Sequence, residues 1–239
     1  MSRPLLVTAH AACKGHGPEN TLAAMRKAIE LGADAIEVDV HCTADGVPVL
    51  LHDNTVDRTT NGSGCIHDMT FAEARALNAG DERFPGELIP SLEEAVELTK
   101  GQVLLVLELK QMGIEAQVLD VVRGLDALRG STVHSFFPQV VAKVRELEPR
   151  EPCALLTNGL NVTDWDELLD SALALNAQGI AVLHSFVTER LVAAASRRSL
   201  RVYAWTVNDE SEMRRLMACG VDGITSDYPE RVRAVLTAS

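Results

Sequence analysis

Residues 31–40 read LGADAIEVDV, and this stretch carries the pattern that decides the predicted fold. A helical pattern ends at Gly32, and the run Ala35–Val40 follows, apolar apart from Glu37 and Asp39. A short apolar run between amphipathic segments is typical of a strand that is buried on both faces of a parallel sheet. Near the other end of the chain, ACGVDGITSD at 218–227 has the same order of Gly, Asp and Ile, a weak similarity that barrel geometry explains without a sequence duplication.

Alternation of apolar runs and helical patterns extends over the whole chain. The candidate strands are Leu5–Ala9, Ala35–Val40, Val103–Leu109, Thr132–Ser135, Cys153–Leu156, Gly179–Leu183, Arg201–Trp205 and Gly223–Thr225. The candidate helices are Asn20–Leu31, Ile114–Leu128, Pro138–Leu147, Trp165–Leu175, Thr188–Arg198, Glu210–Ala218 and Pro229–Leu236. This order predicts an α/β protein, and eight strands favour a closed (β/α)8 TIM barrel. A doubly wound open sheet is the alternative, although its GxGxxG turn is absent.

One connection is longer than the others. The segment from His41 to Lys100 contains another apolar run, Val47–Leu51, then a turn-rich stretch and two short helical patterns. We expect a small insertion after the second strand, on the barrel face where such loops carry active sites. Residues 1–239 as a whole are predicted to form a single barrel domain.

Composition excludes several classes of function. The chain has 239 residues, with 22 basic and 34 acidic side chains and a formal net charge of −12, so it would repel nucleic acid. Its five scattered cysteines form no CxxC pair, which argues against a disulfide framework or a zinc knuckle. No apolar stretch has the length of a membrane span or of a signal peptide's core, so a cytoplasmic location is expected.

Carboxylates follow the period of the predicted strands. Glu37 and Asp39 are two residues apart and therefore point to the same face of one strand. Neighbouring carboxylates repel one another, and a bound cation would relieve this; a strand end exposed to solvent is the equally plain alternative for this pair alone. Glu108, at the end of the third strand, adds a third carboxylate to the same barrel end. Three oxygen ligands with open positions suit metal-assisted phosphoryl chemistry.

Three basic side chains complete the candidate site. Lys110 shares a strand face with Glu108 and offers a cation to an anionic substrate, or else a plain ion pair. His10 directly follows the first strand and His52 follows the run that ends at Leu51. One of these histidines is expected to act as general base and the other as general acid, because imidazole titrates near neutral pH.

Several segments resemble the glycerophosphodiester phosphodiesterase family. They are AH at 9–10, GPENTLAAMRKAIELGADAIEVDV at 17–40, DGVPVLLHDNTVDRTTNGSG at 45–64, IPSLEEAVEL at 89–98, LELK at 107–110, VYAWTVND at 202–209 and GITSDYPE at 223–230. The resemblance is densest over residues 9–110 and thin from 111 to 200. It implies a (β/α)8 barrel that hydrolyses glycerophosphodiesters to glycerol 3-phosphate and an alcohol with one divalent cation, Mg²⁺ or Ca²⁺.

The resemblance also implies roles for individual residues. It makes His10 and His52 the catalytic pair, and it makes Lys110 a phosphate contact. Trp205 is implied to lie near the pocket mouth. The implied metal ligands are Glu37, Asp39 and Glu108. The implied partner is a small phosphodiester, with no nucleic acid and no membrane span.

One motif departs from the family. The family usually has His-Arg-Gly after the first strand, and this chain has His10-Ala11-Ala12. The missing arginine would offer two parallel donors to a phosphate, and Lys14 is the nearest cation that is able to replace it. Alanine also disfavours a positive φ at position 12, so the loop is expected to follow a different path.

Because of this departure, two other functions stay open. One is a phosphodiesterase of the same fold that acts on another diester, such as a lysophospholipid or a sugar phosphodiester. The other is a non-catalytic phosphate-binding barrel. The six polar residues of the implied site are all retained, and this favours an enzyme.

Overall fold

The computed structural model describes residues 4–238, and it confirms the (β/α)8 barrel. Within these residues eight parallel strands close into a ring, because the first strand pairs with both the second and the last. The strands, in chain order, are β1 (Leu6–Ala9), β2 (Ala35–Cys42), β3 (Pro48–Leu50), β4 (Leu104–Leu109), β5 (Ser131–Ser135), β6 (Cys153–Thr157), β7 (Gly179–Leu183), β8 (Arg201–Trp205) and β9 (Gly223–Ser226). The short strand β3 stands outside the ring and pairs antiparallel with the end of β2.

Helices cover the outside of the barrel. They are α1 (Leu22–Glu30), α2 (Phe71–Arg75), α3 (Leu92–Thr99), α4 (Glu115–Gly124), α5 (Pro138–Leu147), α6 (Trp165–Ala174), α7 (Glu189–Arg197), α8 (Glu210–Cys219) and α9 (Pro229–Thr237). Local chemistry determines several of their ends. Thr21 caps α1 by accepting a hydrogen bond from the N–H of Ala24, and Gly220 ends α8 with φ +82.

The segment 41–100 contains more of the barrel than we expected. Its second helix, α3, packs between α1 and α4 and is the outer helix that follows the second strand of the ring. A capping box between Ser91 and Glu94 starts α3. The remainder, with β3 and α2, has a small apolar core of its own around Val49, Leu51 and Ile66. The insertion proper therefore ends before Ser91.

The main core lies between the strands and the helices. Outward-facing residues of β2, such as Ile36 and Val38, are fully buried against helix residues such as Met25 and Leu92. Within residues 4–238 no helix has the length and the apolar composition to cross a membrane. Packing on the outside of the ring leaves the strand ends free to carry polar side chains at the C-terminal end of the barrel, where the candidate site lies.

Candidate active site

Three carboxylates from two neighbouring strands meet at the C-terminal end of the barrel. Glu37 and Asp39 lie on β2, and Asp39 is directly opposite Glu108 of β4 in the parallel register. One oxygen of each side chain lies within 4.8 Å of an oxygen of the other two. Glu37 and Asp39 are buried and Glu108 is nearly so. The structure thus brings together the three predicted metal-binding side chains.

Of the three carboxylates, Glu37 is the one whose ionised form is stabilised least by its surroundings. Burial raises its pKa well above the usual value, and the charges of Asp39 and Glu108 raise it further. One carboxylate oxygen accepts a hydrogen bond of 2.7 Å from the backbone N–H of Ala11. The other oxygen is buried and has no hydrogen-bond partner among the described residues. A buried, unpaired carboxylate oxygen beside two other acids fits a cation with oxygen ligands.

Lys110 partly neutralises this cluster. Its Nζ lies 3.0 Å from Oδ1 of Asp39 and 2.5 Å from Oε1 of Glu108. Burial alone would raise the pKa of Asp39, but the ammonium of Lys110 and a hydrogen bond from Asn20 outweigh it and hold that pKa below its usual value. Burial would lower the pKa of Lys110, yet the two carboxylates raise it overall. Lys110 therefore stays charged beside the cluster.

His10 is held from one side of its ring by a carboxylate from the far end of the chain. Its Nδ1 lies 2.7 Å from Oδ1 of Asp227, which follows β9. Asn208 donates a hydrogen bond of 2.7 Å to the other oxygen of Asp227 and accepts one of 3.0 Å from the Asp227 N–H. Burial would raise the pKa of Asp227, but His10 and Asn208 lower it, so the carboxylate stays ionised. The second ring nitrogen, Nε2, has the hydroxyl of Thr206 at 3.5 Å, a contact long enough for a substrate to replace.

Sequence reasoning missed Asp227 and Asn208. Both lie in segments that resemble the family, VYAWTVND and GITSDYPE, but neither stands at a strand position that marks a face of the barrel. A polar residue directly after a barrel strand was the signal for His10, and the same signal applied to β9 would have pointed to Asp227.

His52 is also held by a carboxylate, that of the next residue along the chain. Its Nδ1 lies 2.7 Å from Oδ1 of Asp53. Arg58 donates to Oδ2 of Asp53 at 2.6 Å and also pairs with Glu19. The hydrogen bond from Arg58 lowers the pKa of Asp53 to about 2. The side chain of His52 is 47% exposed, and it lies close enough to Asp39 and Glu108 for a positive charge on its ring to favour their ionised forms.

The loop after His10 corrects one expectation. Ala11, Ala12 and Cys13 have φ values of 45, 66 and 102, so alanine at position 12 does take a positive φ. Such a conformation costs an alanine about 1–2 kcal/mol, and the surrounding contacts over-determine it. The Ala11 carbonyl accepts a hydrogen bond of 3.0 Å from the N–H of Asn20, and the Ala11 N–H binds Glu37.

Lys14 lies beyond this turn, beside the carboxylate that holds His10. Its Nζ is 3.8 Å from Oδ1 of Asp227, and its side chain is 37% exposed. The predicted substitute for the missing arginine is thus close to His10, at the edge of the site. Ala11 itself is 2% exposed, so its side chain does not point to solvent or to an open pocket.

A cavity of about 440 Å³ lies inside the barrel and reaches part of this site. The end of the cavity near the C-terminal ends of the strands is lined by His10, Glu37, Glu108 and Trp205, the last residue of β8. The indole N–H of Trp205 is buried and has no acceptor among the described residues, so it is a free donor at the cavity wall. The cavity thus presents His10, two carboxylates and an indole donor, and Lys110 contacts Glu108 beside it, which suits the binding and cleavage of a phosphodiester.

Comparisons with known proteins agree with this chemistry. The sequence model of the glycerophosphoryl diester phosphodiesterase family matches residues 10–231. A glycerophosphodiester phosphodiesterase from Caldanaerobacter subterraneus subsp. tengcongensis is 36% identical over 234 residues, which cover 94% of this chain and 95% of that protein.

Solved structures match over the same length. An Oleispira antarctica phosphodiesterase in complex with the product sn-glycerol-3-phosphate is 30% identical, with a TM-score of 0.87, and the match covers 98% of this chain and 97% of that one. The glycerophosphodiester phosphodiesterase of Agrobacterium tumefaciens is 28% identical, with a TM-score of 0.85 over 97% of this chain and 100% of that one.

Proposed function

The chain belongs to the glycerophosphoryl diester phosphodiesterase family, and on that premise we propose that it hydrolyses glycerophosphodiesters to glycerol 3-phosphate and an alcohol with one divalent cation. As a member of this family it is a phosphoric diester hydrolase. The product bound to the Oleispira antarctica phosphodiesterase supports glycerol 3-phosphate as the phosphate product.

The observation that carries the proposal is the unpaired, buried oxygen of Glu37 among three carboxylates. Glu37, Asp39 and Glu108 would hold Mg²⁺ or Ca²⁺, whose ligands are oxygens. When bound, that cation supplies positive charge to the phosphate and stabilises the charge that develops in the transition state. Lys110 adds a second cation within 3.0 Å of the same cluster.

Hydrolysis requires one proton to be removed and one to be delivered. Overall, a water oxygen becomes bonded to phosphorus, the P–O bond to the alcohol breaks, and the departing oxygen takes up a proton. His10 and His52 are the groups that move these protons, since Asp227 and Asp53 hold the Nδ1 of each ring and leave Nε2 to exchange a proton. Trp205 and Lys14 are proposed to contact the substrate from the cavity wall and from its edge.

The decisive test is an assay of glycerol 3-phosphate release from a panel of glycerophosphodiesters, with and without a chelator. We expect turnover that the chelator abolishes and that Mg²⁺ or Ca²⁺ restores. Binding of glycerol 3-phosphate without turnover of any diester would instead identify a non-catalytic phosphate-binding barrel.

A paired variant connects this activity with the carboxylate cluster. Glu37→Gln should lower turnover about a thousandfold, because the metal's contribution to the transition state amounts to several kcal/mol. It should also abolish the rise in melting temperature that Mg²⁺ or Ca²⁺ gives the unchanged protein. Glu151→Gln is the matched control, since Glu151 is buried just before β6, outside the cluster. Equal metal effects on both variants would contradict the assignment of the site.

A further inference from the structure

Exposed apolar side chains are concentrated on one side of the barrel mouth. Six large hydrophobic residues are exposed in the part of the chain that the structure describes, and four of them lie on the loops that follow β4, β5 and β6. These four, which we name the apolar rim, are Met112 (57% exposed), Phe136 (39%), Phe137 (38%) and Leu160 (71%). Exposed apolar groups that cluster beside a cavity mark a binding surface more often than scattered ones do.

The apolar rim is continuous with the catalytic cavity. The ring of Phe136 packs edge-on against Trp205, with 5.6 Å between the ring centroids. Trp205 lines the same cavity as His10 and Glu108, and Leu156 of β6 lines it as well. An apolar path therefore leads from this cavity, across Trp205 and Phe136, to the outside of the barrel.

Packing holds the loop of Leu160 in place. Its neighbour Gly159 has φ +73, and a Cβ built there would lie 2.5 Å from the ring of Phe186, so the backbone of this loop rests on that ring. Residues 158–163 read NGLNVT and contain no charged side chain, in a protein whose formal net charge is −12. Leu160 is thus presented to solvent by an uncharged and well-packed loop.

We propose that the apolar rim binds a hydrocarbon chain carried by the alcohol part of the substrate. The inference rests on the proposed function and specifies its substrate class, diesters of glycerol phosphate with an alkyl or acyl chain. The glycerol hydroxyls need polar partners, and these lie on the side of the mouth formed by His10, Asp227 and the carboxylate cluster. The other arm of the diester is left to cross Trp205 and Phe136.

Two other occupants fit the apolar rim less well. A stable protein partner covers about 20–30 residues on each side, and the rim has four side chains. An anionic lipid surface would be repelled by the acidic chain, which lacks the basic cluster that such surfaces attract. A single hydrocarbon chain, anchored at one end by its phosphate, needs no larger area than the rim offers.

The test is a series of glycerophosphoalkyl diesters with ethyl, butyl, hexyl and octyl alcohols, each kept below its micelle concentration. We expect kcat/KM to rise about twofold to fourfold for each added methylene over the first few carbons, because each one leaves water. A flat series in the unchanged protein would overturn the inference. Absence of turnover on every diester, ethyl included, would overturn the proposed function and this inference with it.

Variants test whether the apolar rim causes the dependence of kcat/KM on chain length. Leu160→Ser should reduce the octyl-to-ethyl ratio of kcat/KM about tenfold, and it should fold because Leu160 is 71% exposed. Phe136→Ser should reduce this ratio further. Leu173→Ser is the control, since Leu173 is 42% exposed on α6, outside the mouth, and the ratio should not change. An unchanged ratio in Leu160→Ser would overturn the assignment.

A last arm separates a single chain from a lipid surface. Phosphatidylcholine vesicles should not carry the protein into the pellet on sedimentation, and the chain-length effect should be complete below the micelle concentration. Sedimentation with vesicles, together with a chain-length effect that begins only above the micelle concentration, would overturn the proposal in favour of a lipid surface.

Discussion

The mouth of this barrel has a polar half and an apolar half. Strand β2, the end of β4 and the loops after β1, β3, β4 and β9 carry the carboxylates, the histidines and the lysines. The loops after β4, β5 and β6 carry the apolar rim, and β8 ends in Trp205. Most of these side chains stand near the C-terminal end of a strand or on the loop after it, while Glu37 lies further inside β2 and His52 follows the antiparallel strand β3. The barrel thus supplies similar positions all around its mouth, and the choice of residues there decides the chemistry of each half.

The two halves differ in how they affect stability. In the polar half, burial raises the pKa of Glu37 and of Glu108, which means that the folded protein disfavours their ionised forms. In the apolar half, Phe136 and Trp205 pack against each other, and their uncharged side chains carry no such penalty. Strain at Ala11 and Ala12 also lies in the polar half. Function is thus expected to be concentrated where the fold is least favourable locally.

The largest expected effect concerns the two histidines of the polar half. His10→Ala and His52→Ala should each lower kcat by about 10²–10⁴, because general acid–base catalysis contributes that much. Both side chains are partly exposed, so circular dichroism should show an intact fold. Steady-state kinetics with saturating metal measures the effect. If either folded variant kept near-normal turnover, that histidine would lose its assigned role.

The next effect tests the carboxylate that holds His10. Asp227→Asn should lower kcat/KM about tenfold to hundredfold, as is typical when a partner that orients a functional imidazole is removed. The limb of the pH–rate profile to which His10 contributes should move to lower pH, since an amide does not stabilise a charged ring. Asp53→Asn is the comparison on His52 and should cost less, because solvent reaches that pair. Loss of activity without any movement of the pH profile would indicate a structural role only.

The carboxyl of Glu151 is buried just before β6, away from the carboxylate cluster. It tests how much free energy it costs to bury a negative charge where no metal ion is expected. Ser131 donates a hydrogen bond of 2.8 Å to Glu151, and burial raises the pKa of Glu151 from 4.5 to about 7. The folded protein therefore keeps this proton up to about pH 7, while the unfolded chain loses it near 4.5. The free energy of unfolding should fall as pH rises between these values and stay level above them.

Glu151→Gln should remove that slope. We expect the variant to be more stable than the unchanged protein at pH 8 by about 1–3 kcal/mol, with a much smaller difference at pH 4.5. Urea unfolding at the two pH values measures it. The same difference at both values would rule out titration of Glu151 as its cause.

A smaller effect is expected for the cation at the edge of the polar half. Lys14→Ala should raise KM about threefold to tenfold, because a partly exposed ammonium contributes little. Ala11→Arg should bring no gain, since position 11 is buried and its N–H is bound to Glu37. Titration of both variants with the preferred diester decides the point. A silent Lys14→Ala together with tighter binding by Ala11→Arg would reverse the assignment.

The smallest effect belongs to the apolar half. Trp205→Phe keeps an aromatic ring beside Phe136 but removes the unpaired indole N–H. One neutral hydrogen bond to the substrate is lost, so KM should rise only about twofold to fivefold. Kinetics on the ethyl diester measures it. A loss as large as that of the histidine variants would contradict the division of the mouth into a polar, catalytic half and an apolar half.

Much of the fold was readable from sequence because buried parallel strands are short apolar runs. The predicted bounds of β7, Gly179–Leu183, and of β8, Arg201–Trp205, are the observed ones. The helix α3 was harder to recognise, because it is short and lies within a turn-rich segment that we assigned to the insertion. Over only two helical turns, the spacing of apolar residues is too short a pattern to identify a helix.

The candidate site likewise has features that the sequence predicts and features that only the structure shows. Glu37 and Asp39 share a face because side chains on a strand alternate, and this rule needs no knowledge of distant residues. The contact between His10 and Asp227 joins positions 217 residues apart, and no local pattern encodes it. The positive φ of Ala12 is likewise held by contacts of the loop and not by the preference of alanine.

The sequence by itself determined the order of strands and helices along the chain, the class of fold and the strands that carry acids, since all of these follow from local periodicity and residue chemistry. Only the tertiary structure decided which strand ends face one another. Closure of the ring places β9 beside β1, so Asp227 reaches His10, and it places Phe136 of the β5 loop against Trp205 at the end of β8. Such pairings depend on the geometry of a closed barrel, in which residues far apart along the chain become neighbours.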